Sequence, residues 1–490
     1  ENGNTVLNTE LLWPNPVPYV LEDSLDLEAK GVILQAFEHF RLKSCIDFKP
    51  RQSEEDYISV RRNPGCYSFV SRIIKSGQVL SIGENCVSLG TVEHEFLHAL
   101  GFHHEQSRYD RDDYVTINWR NIKDGLQNNF KKLSRNSSIT FSAPYDYLSV
   151  MHYGKDFFSK NSGDTIITKL PQFQDRIGQR MEMSPLDVFK LNLLYRCIKL
   201  HSYFMHASTA SGQEGDSAWL ETKKMIPTRD CHVQCLQFYY YHSGGQSDQL
   251  NIWIREFQDE TDTKGINVCT TCSVCLRQFS SPGRPMFAWQ FHKVPLNASK
   301  PFQVVFEVRK GGRDSSGGFS IDDINLSESE CPHSVWQIND FETVLTNNDF
   351  DSYVFSPRMY STEGYAYQVI LRLRETFFGV LFRLVSGEYD STLEWPCPWR
   401  QVTISMLDQN PQIQRQMSKQ ITLTTDPSSS GFDDPRTVGE LTRTNGESFY
   451  ANSIYGIGSF LSLEEMKNQD FLKGGNAVFL ISITGELKHP

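Results

Sequence analysis

His94 and His98 stand four residues apart in the stretch HEFLHALGFHHEQ at positions 94–106. On a helix that spacing puts both imidazoles on one face, where two neutral rings can grip one zinc ion. Glu95 follows the first histidine. A carboxylate there can reach a water at the metal and act as its general base. Gly101 comes three residues after His98, and a glycine tolerates the positive φ that ends a helix and turns the chain. The turn can return His104 as third ligand, and three protein ligands leave one position open for chemistry. Phe96, Leu97, Ala99 and Leu100 are expected to pack behind the site. In a chain of this composition HExxH arises by chance about 0.02 times, and adding Gly101 and His104 lowers that to on the order of 0.00004. The competing explanation, a buried amphipathic helix with incidental histidines, leaves the ligand spacing unexplained.

Downstream lies SVMHYG, Ser149 to Gly154. HExxHxxGxxH followed by a methionine turn is the metzincin pattern. Met151 would form an apolar floor beneath the metal, although such a methionine taken alone is ordinary core. Tyr153 follows two residues later, and its phenol can bind zinc at rest and then hydrogen-bond the tetrahedral intermediate. The chemistry expected is metal-assisted peptide hydrolysis with one catalytic Zn2+.

A chain of 490 residues exceeds one hydrophobic core, so several domains are expected. Residues 4–197 mix helix and strand signals. Asp23 and Ser24 are expected to cap a helix through LEAKGVILQAFEHF, whose Val32, Ile33, Ala36, Phe37 and Phe40 return at helical spacing. TVEHEFLHALGF is a second helical segment, ending near Gly101. From 198 to 330 the texture becomes short strands, LQFYYYH, LNIWIREF and FQVVFEVRK, separated by turn-rich loops. From 331 to 486 strands dominate again, among them YQVILRLRE, QVTISMLD and AVFLISITG. The fold expected is an α+β protease domain followed by two all-β sandwiches.

The net charge of −11 argues against nucleic-acid partners. No apolar run approaches the roughly 20 residues a membrane span needs, so no anchor is expected in the chain. The polar start ENGNTVLNTE lacks a signal-peptide core. Eleven cysteines and three Asn-x-Ser sequons, at Asn136, Asn297 and Asn325, fit an extracellular protein, secreted or shed from a plasma membrane.

HEFLHALGFHHEQSRYDRDDYV with SVMHY resembles the astacin family of metalloproteases. LWPNPVPYVLEDSL, AKGVILQAFEHFRLKSCIDFKP and IGQRM resemble meprins within it. CLQFYYYHSGGQSDQLNIWIREF and GGFSIDDINLSESECP are similar to the MAM domain of meprins, a jelly-roll. HSVWQIND, LEWPCPWRQVTISMLDQ and DFLKGGNAVFLIS are similar to their MATH domain, a TRAF-like sandwich. CPHSVWQIND lies nearer to the beta than the alpha members.

The resemblance implies roles residue by residue. His94, His98 and His104 match the family's zinc ligands, Glu95 its base and Tyr153 its further ligand. Cys45 with Cys197, and Cys66 with Cys86, match its two protease-domain disulfides. Asn4 matches the mature N-terminal residue, whose amine pairs in the family with the glutamate matched here by Glu105; residues 1–3 would be a propeptide remnant or a trimmed start. Without that pairing Glu105 would be a solvated surface carboxylate. Arg180 matches an arginine that draws acidic residues into the primed side of the cleft. The alternative is a surface arginine paired with Asp175 or Glu182. A second arginine of that pocket is Leu126 here, so the acidic preference should be partial.

Other departures concern assembly. The opening cysteine-containing strand of the MAM domain is missing after Cys197, and the cysteine that links meprin subunits would fall near Ile198. A homodimer or oligomer through the MAM and MATH domains is expected, without that covalent link. CTTCSVC at 269–275 is foreign to the family: a metal-binding knot, a local disulfide or a divergent loop. The expected activity is endopeptidase action on extracellular proteins and peptides. The rival class is an adhesion scaffold carrying a dead protease, and the intact Glu95 and three ligands speak against it.

Overall fold

A computed structural model describes residues 5–485 other than 7–8, 135–137, 142, 198–204, 210, 228–233, 244, 246, 260, 269–288, 313–316, 329, 348–350 and 468. Asn4, Asn136, Ile198, Cys231 and the CTTCSVC stretch therefore lie outside the described residues.

Helix α1 spans Leu27–Lys43, and its N-cap is Asp26, whose side chain accepts the Ala29 N–H. Asp23 and Ser24, the expected caps, precede it. A cap must stand two or three residues ahead of the amide it satisfies. Ser24 instead accepts from Arg62 N–H with its hydroxyl. Val32, Ile33, Ala36, Phe37 and Phe40 are all buried. The Phe37 ring stacks on Phe48 at 4.1 Å and meets Phe96 edge-on at 5.0 Å. Those three rings join α1, the sheet and helix α2, Leu89–Ala99. Each such pair adds about 0.5–1.5 kcal/mol beyond simple burial.

The sheet of this first domain runs in the order Phe48–Pro50, Val17–Leu21, Ile58–Arg61, Gln78–Ile82, Cys66–Ser68. The first four strands are parallel and Cys66–Ser68 is antiparallel at the edge. Helix α3, Pro185–Leu194, opens with a reciprocal capping box between Ser184 and Asp187. Cys45–Cys197 and Cys66–Cys86 are disulfides.

The second domain is two four-stranded antiparallel sheets face to face. Leu236, Phe238, Leu250, Val304 and Phe306 fill the space between them. The third domain stacks a four-stranded sheet on a five-stranded one. Gln401–Met406 at its centre shows why: Val402, Ile404 and Met406 alternate inward while Thr403 and Ser405 face outward. Cys235 pairs with Cys331, tying a strand of the second domain to the lead-in of the third. Tyr239 and Phe291 of the second domain share a small core with Leu407 and Val478 of the third. Cys397 is buried and unpaired among the described cysteines. Among the described residues no helix is long and apolar enough to cross a membrane.

Candidate active site

α2 ends in a motif that places the third histidine. Gly101 has φ +112°, the left-handed conformation that a side chain resists. Its N–H bonds His98 O, and Phe102 N–H bonds Leu97 O. This pair of bonds is a Schellman cap, which satisfies the last carbonyls while reversing the chain. The Trp13 indole N–H caps Ala99 O at 3.0 Å.

Three imidazoles converge there. His94 Nδ1 donates to Val150 O at 2.7 Å, and His98 Nδ1 donates to Phe102 O at 2.7 Å. A carbonyl only accepts, so each Nδ1 carries the proton and each Nε2 presents a lone pair. His104 Nε2 lies 3.2 Å from both other Nε2 atoms. Lone pairs facing one another repel unless a cation sits among them. Three nitrogens bound to zinc at tetrahedral angles stand about 3.3 Å apart. The donor set and its spacing therefore fit zinc. Burial lowers the pKa of all three histidines, His98 to about 4 and the other two well below the ordinary range. They are neutral at working pH, as ligands must be.

Glu95 is almost fully buried, and among the described residues its Oε2 has no hydrogen-bond partner. Burial pushes its pKa up to about 8, against the pull of Arg180. The methionine turn is held from α3: Asp187 accepts from Ser149 Oγ at 2.6 Å and from Val150 N–H at 2.8 Å. Val150 in turn orients His94. Met151 is fully buried in the core of this domain. Its carbonyl accepts the Glu105 N–H, and Gln106 Oε1 accepts the Tyr153 N–H at 3.1 Å. The Tyr153 ring lies 4.4 Å from His104 and 5.7 Å from Phe130.

Arg180 is an isolated cation beside these groups. Its Nη1 donates to the carbonyls of His152 and Gln179, and among the described residues no carboxylate pairs with it. The alternative reading of Arg180 fails, because Asp175 is taken by Lys155 and Glu182 by His39 and Lys43. The Phe157 ring lies 5.8 Å from its guanidinium. Leu126 packs half-buried against the apolar cluster that contains Tyr153. Of the two described sequons, Asn297 is exposed, whereas Asn325 is half-buried in strand Gly318–Ser327 with its amide donating to Asp323 O.

Glu105 is not a solvated surface carboxylate. It is fully buried, and its oxygens accept from Arg108 at 3.0 Å, Asp146 N–H at 3.0 Å and Lys190 at 2.9 Å. Arg108 stands only three residues on, an ordinary local ion-pair spacing, whereas Lys190 is 85 positions away and not legible as a partner. Burial raises the Glu105 pKa, but Lys190 and Arg108 outweigh that and hold it below its ordinary value of 4.5. The stabilisation is therefore present above that value and is lost as pH falls through the lowered one. Lys190→Met leaves Glu105 Oε2 without its cation, with only Arg108 on Oε1, and should cost about 3 kcal/mol in urea denaturation. A loss under about 1 kcal/mol would mean that Arg108 alone suffices.

The profile of the astacin peptidase family matches residues 5–196, the MAM domain, meprin/A5/mu profile 197–332, and the MATH domain profile 333–483. Meprin A subunit beta of Mus musculus is 42% identical over 540 aligned residues, covering 98% of this chain and 75% of that protein. Meprin A subunit alpha of Rattus norvegicus is 36% identical over 98% of this chain and 71% of its own length. Zinc metalloproteinase nas-13 of Caenorhabditis elegans is 43% identical over 40% of this chain and 43% of its own.

Proposed function

The chain belongs to the meprins, zinc metalloendopeptidases of the astacin family, and from that premise we propose that it cleaves extracellular proteins and peptides with a partial preference for acidic residues just after the scissile bond. One observation carries the site assignment: three Nε2 atoms converge, His104 Nε2 within 3.2 Å of the other two, while the His94 and His98 rings are locked by carbonyls at Nδ1 so that their Nε2 lone pairs face the same point. His94, His98 and His104 would hold one zinc ion. When bound, zinc supplies Lewis acidity, bringing a water's pKa toward about 7 and polarising the scissile carbonyl. Glu95 takes the proton of the attacking water and later returns it to the leaving amine. The Tyr153 phenol donates a hydrogen bond to the oxygen on which charge develops. The disulfides support an oxidising compartment. The relatives' names, each calling the protein a subunit, support association with further chains.

Among the described residues no carboxylate ion-pairs with Arg180, so the edge of its guanidinium not held by the His152 and Gln179 carbonyls is available to a substrate side chain. Leu126 supplies no second charge. The acidic preference should fall between roughly tenfold and a hundredfold. Cleavage of a peptide library by the purified chain tests it. Arg180→Ala should flatten the preference and Leu126→Arg should sharpen it. A parent profile without acidic enrichment, or one that Arg180→Ala leaves intact, sinks this pocket.

A further inference from the structure

A second cluster of histidine and carboxylates lies behind the site: ligand atoms of His39, Glu93 and Glu182 fall within 4.8 Å of one another. His39 Nδ1 is 2.9 Å from Glu182 and 3.4 Å from Glu93. Lys43 Nζ lies 2.8 Å from the same Glu182 Oε2. Glu93, Glu182 and Lys43 are essentially buried. Burial disfavours a charged His39, but its bonds to Glu182 and Glu93 outweigh that and hold its pKa at about 9. Two basic groups, His39 and Lys43, thus face the two carboxyl groups. A divalent ion would have to share Glu182 with an ammonium already in contact, so the geometry is that of an ionic latch and not of a metal site.

The third domain completes the latch. The Ser418 backbone N–H donates to Glu182 Oε1, and Lys43 Nζ donates to Gln416 O at 2.7 Å. Around them α1 lies directly on strands Gln401–Met406 and Lys419–Thr424. Gln35 is bonded to Thr403, Gln420 and Thr422. Gly31 is so close that a Cβ there would collide with the Gln401 amide.

On its other side the latch grips the pocket. Glu93 immediately precedes the ligand His94 and accepts the Met183 N–H at 2.6 Å. Gln179 Nε2 donates to Glu182 O at 2.9 Å. A Cβ on Gly90 of α2 would collide with Arg180 O. The stretch 179–183 is therefore clamped on both flanks of Arg180, with one jaw supplied by the third domain.

We infer that the third domain, through Ser418 N–H and Gln416 C=O on the Glu182–Lys43 latch, positions the segment bearing Arg180 and so contributes to primed-side specificity. This rests on the reading of Arg180 as a substrate-binding residue. Glu182 and Ser418 act as positioning residues; neither touches substrate.

The test uses the full, zinc-loaded chain with Ser418→Pro, which removes the donated N–H, and Ser418→Ala, which keeps it. Glu182→Ala, which removes both the latch charge and the acceptor of the Ser418 N–H, is read in the same way and decides the matter if Ser418→Pro does not fold. Two readouts are taken: amide hydrogen exchange over 178–184, and kinetics on paired peptides with Asp or Ala after the scissile bond. Ser418→Pro should speed exchange in that segment by about tenfold. It should raise KM for the Asp peptide about fivefold while kcat on the Ala peptide stays within about twofold. Ser418→Ala keeps that N–H and loses only the Oγ that accepts the Asp408 N–H, so it should stay near the parent in both. Parent-like exchange in Ser418→Pro overturns the inference, as does faster exchange with an unchanged KM for the Asp peptide. If the parent itself does not distinguish the two peptides, the reading of Arg180 falls, and exchange alone decides whether the third domain holds the segment.

Discussion

Glu95→Ala should lower kcat by about 10²–10⁴-fold, the range for loss of a positioned proton carrier, while the chain keeps its zinc. The side chain is buried beside the ligands but is not one of the three converging ligands, and among the described residues its Oε2 has no hydrogen-bond partner. A buried carboxylate left unpartnered serves a partner that arrives with substrate, here the attacking water. Its raised pKa, about 8, also means that burial disfavours the charged form, and a bound dication would draw it back toward ionisation. Removing it relieves a desolvated group, so thermal stability should hold or rise as activity is lost. Peptide turnover, elemental zinc analysis and a melting curve on one preparation check all three. Substantial activity in the zinc-loaded variant would remove Glu95 from the mechanism.

Tyr153→Phe should lower kcat by about 10²-fold with KM little changed, because an oxyanion donor acts on the transition state alone. Phenylalanine keeps the ring against His104, Phe130 and Phe158, so packing is preserved and only the hydroxyl is lost. Burial holds the phenol at about 12, so it remains a donor across the working pH range. Steady-state kinetics on one peptide separates the terms. An unchanged kcat would make Tyr153 a packing residue, and a rise confined to KM would place its hydroxyl on the ground-state substrate.

The site's legibility followed the range of the contacts involved. His94, Glu95 and His98 share one helix, and Gly101 and His104 follow within six residues, so helix geometry and one turn suffice to bring them together. The strand textures of the later domains were readable for a similar reason: alternation such as that of Val402, Ile404 and Met406 is local. Partners fixed by the tertiary fold were not readable. Lys190 reaches Glu105 across 85 positions and Ser418 reaches Glu182 across 236. Cys235–Cys331 gave no spacing signal among eleven cysteines. The cap of α1 fell at Asp26 and not at Asp23 or Ser24, because all three residues carry the right chemistry and only the chain's entry path selects one. Arg180 was ambiguous until Asp175 and Glu182 proved to be engaged elsewhere.

The central claim is zinc-dependent peptide hydrolysis at the three-histidine centre. It is tested most directly by stripping metal from the purified chain with chelator, measuring hydrolysis, and titrating zinc back while counting ions bound. Activity should vanish with the metal and return linearly, saturating at about one zinc per chain, with His98→Ala failing to recover. Hydrolysis that persists in the metal-free chain, or full zinc loading with no hydrolysis of any peptide, would contradict it.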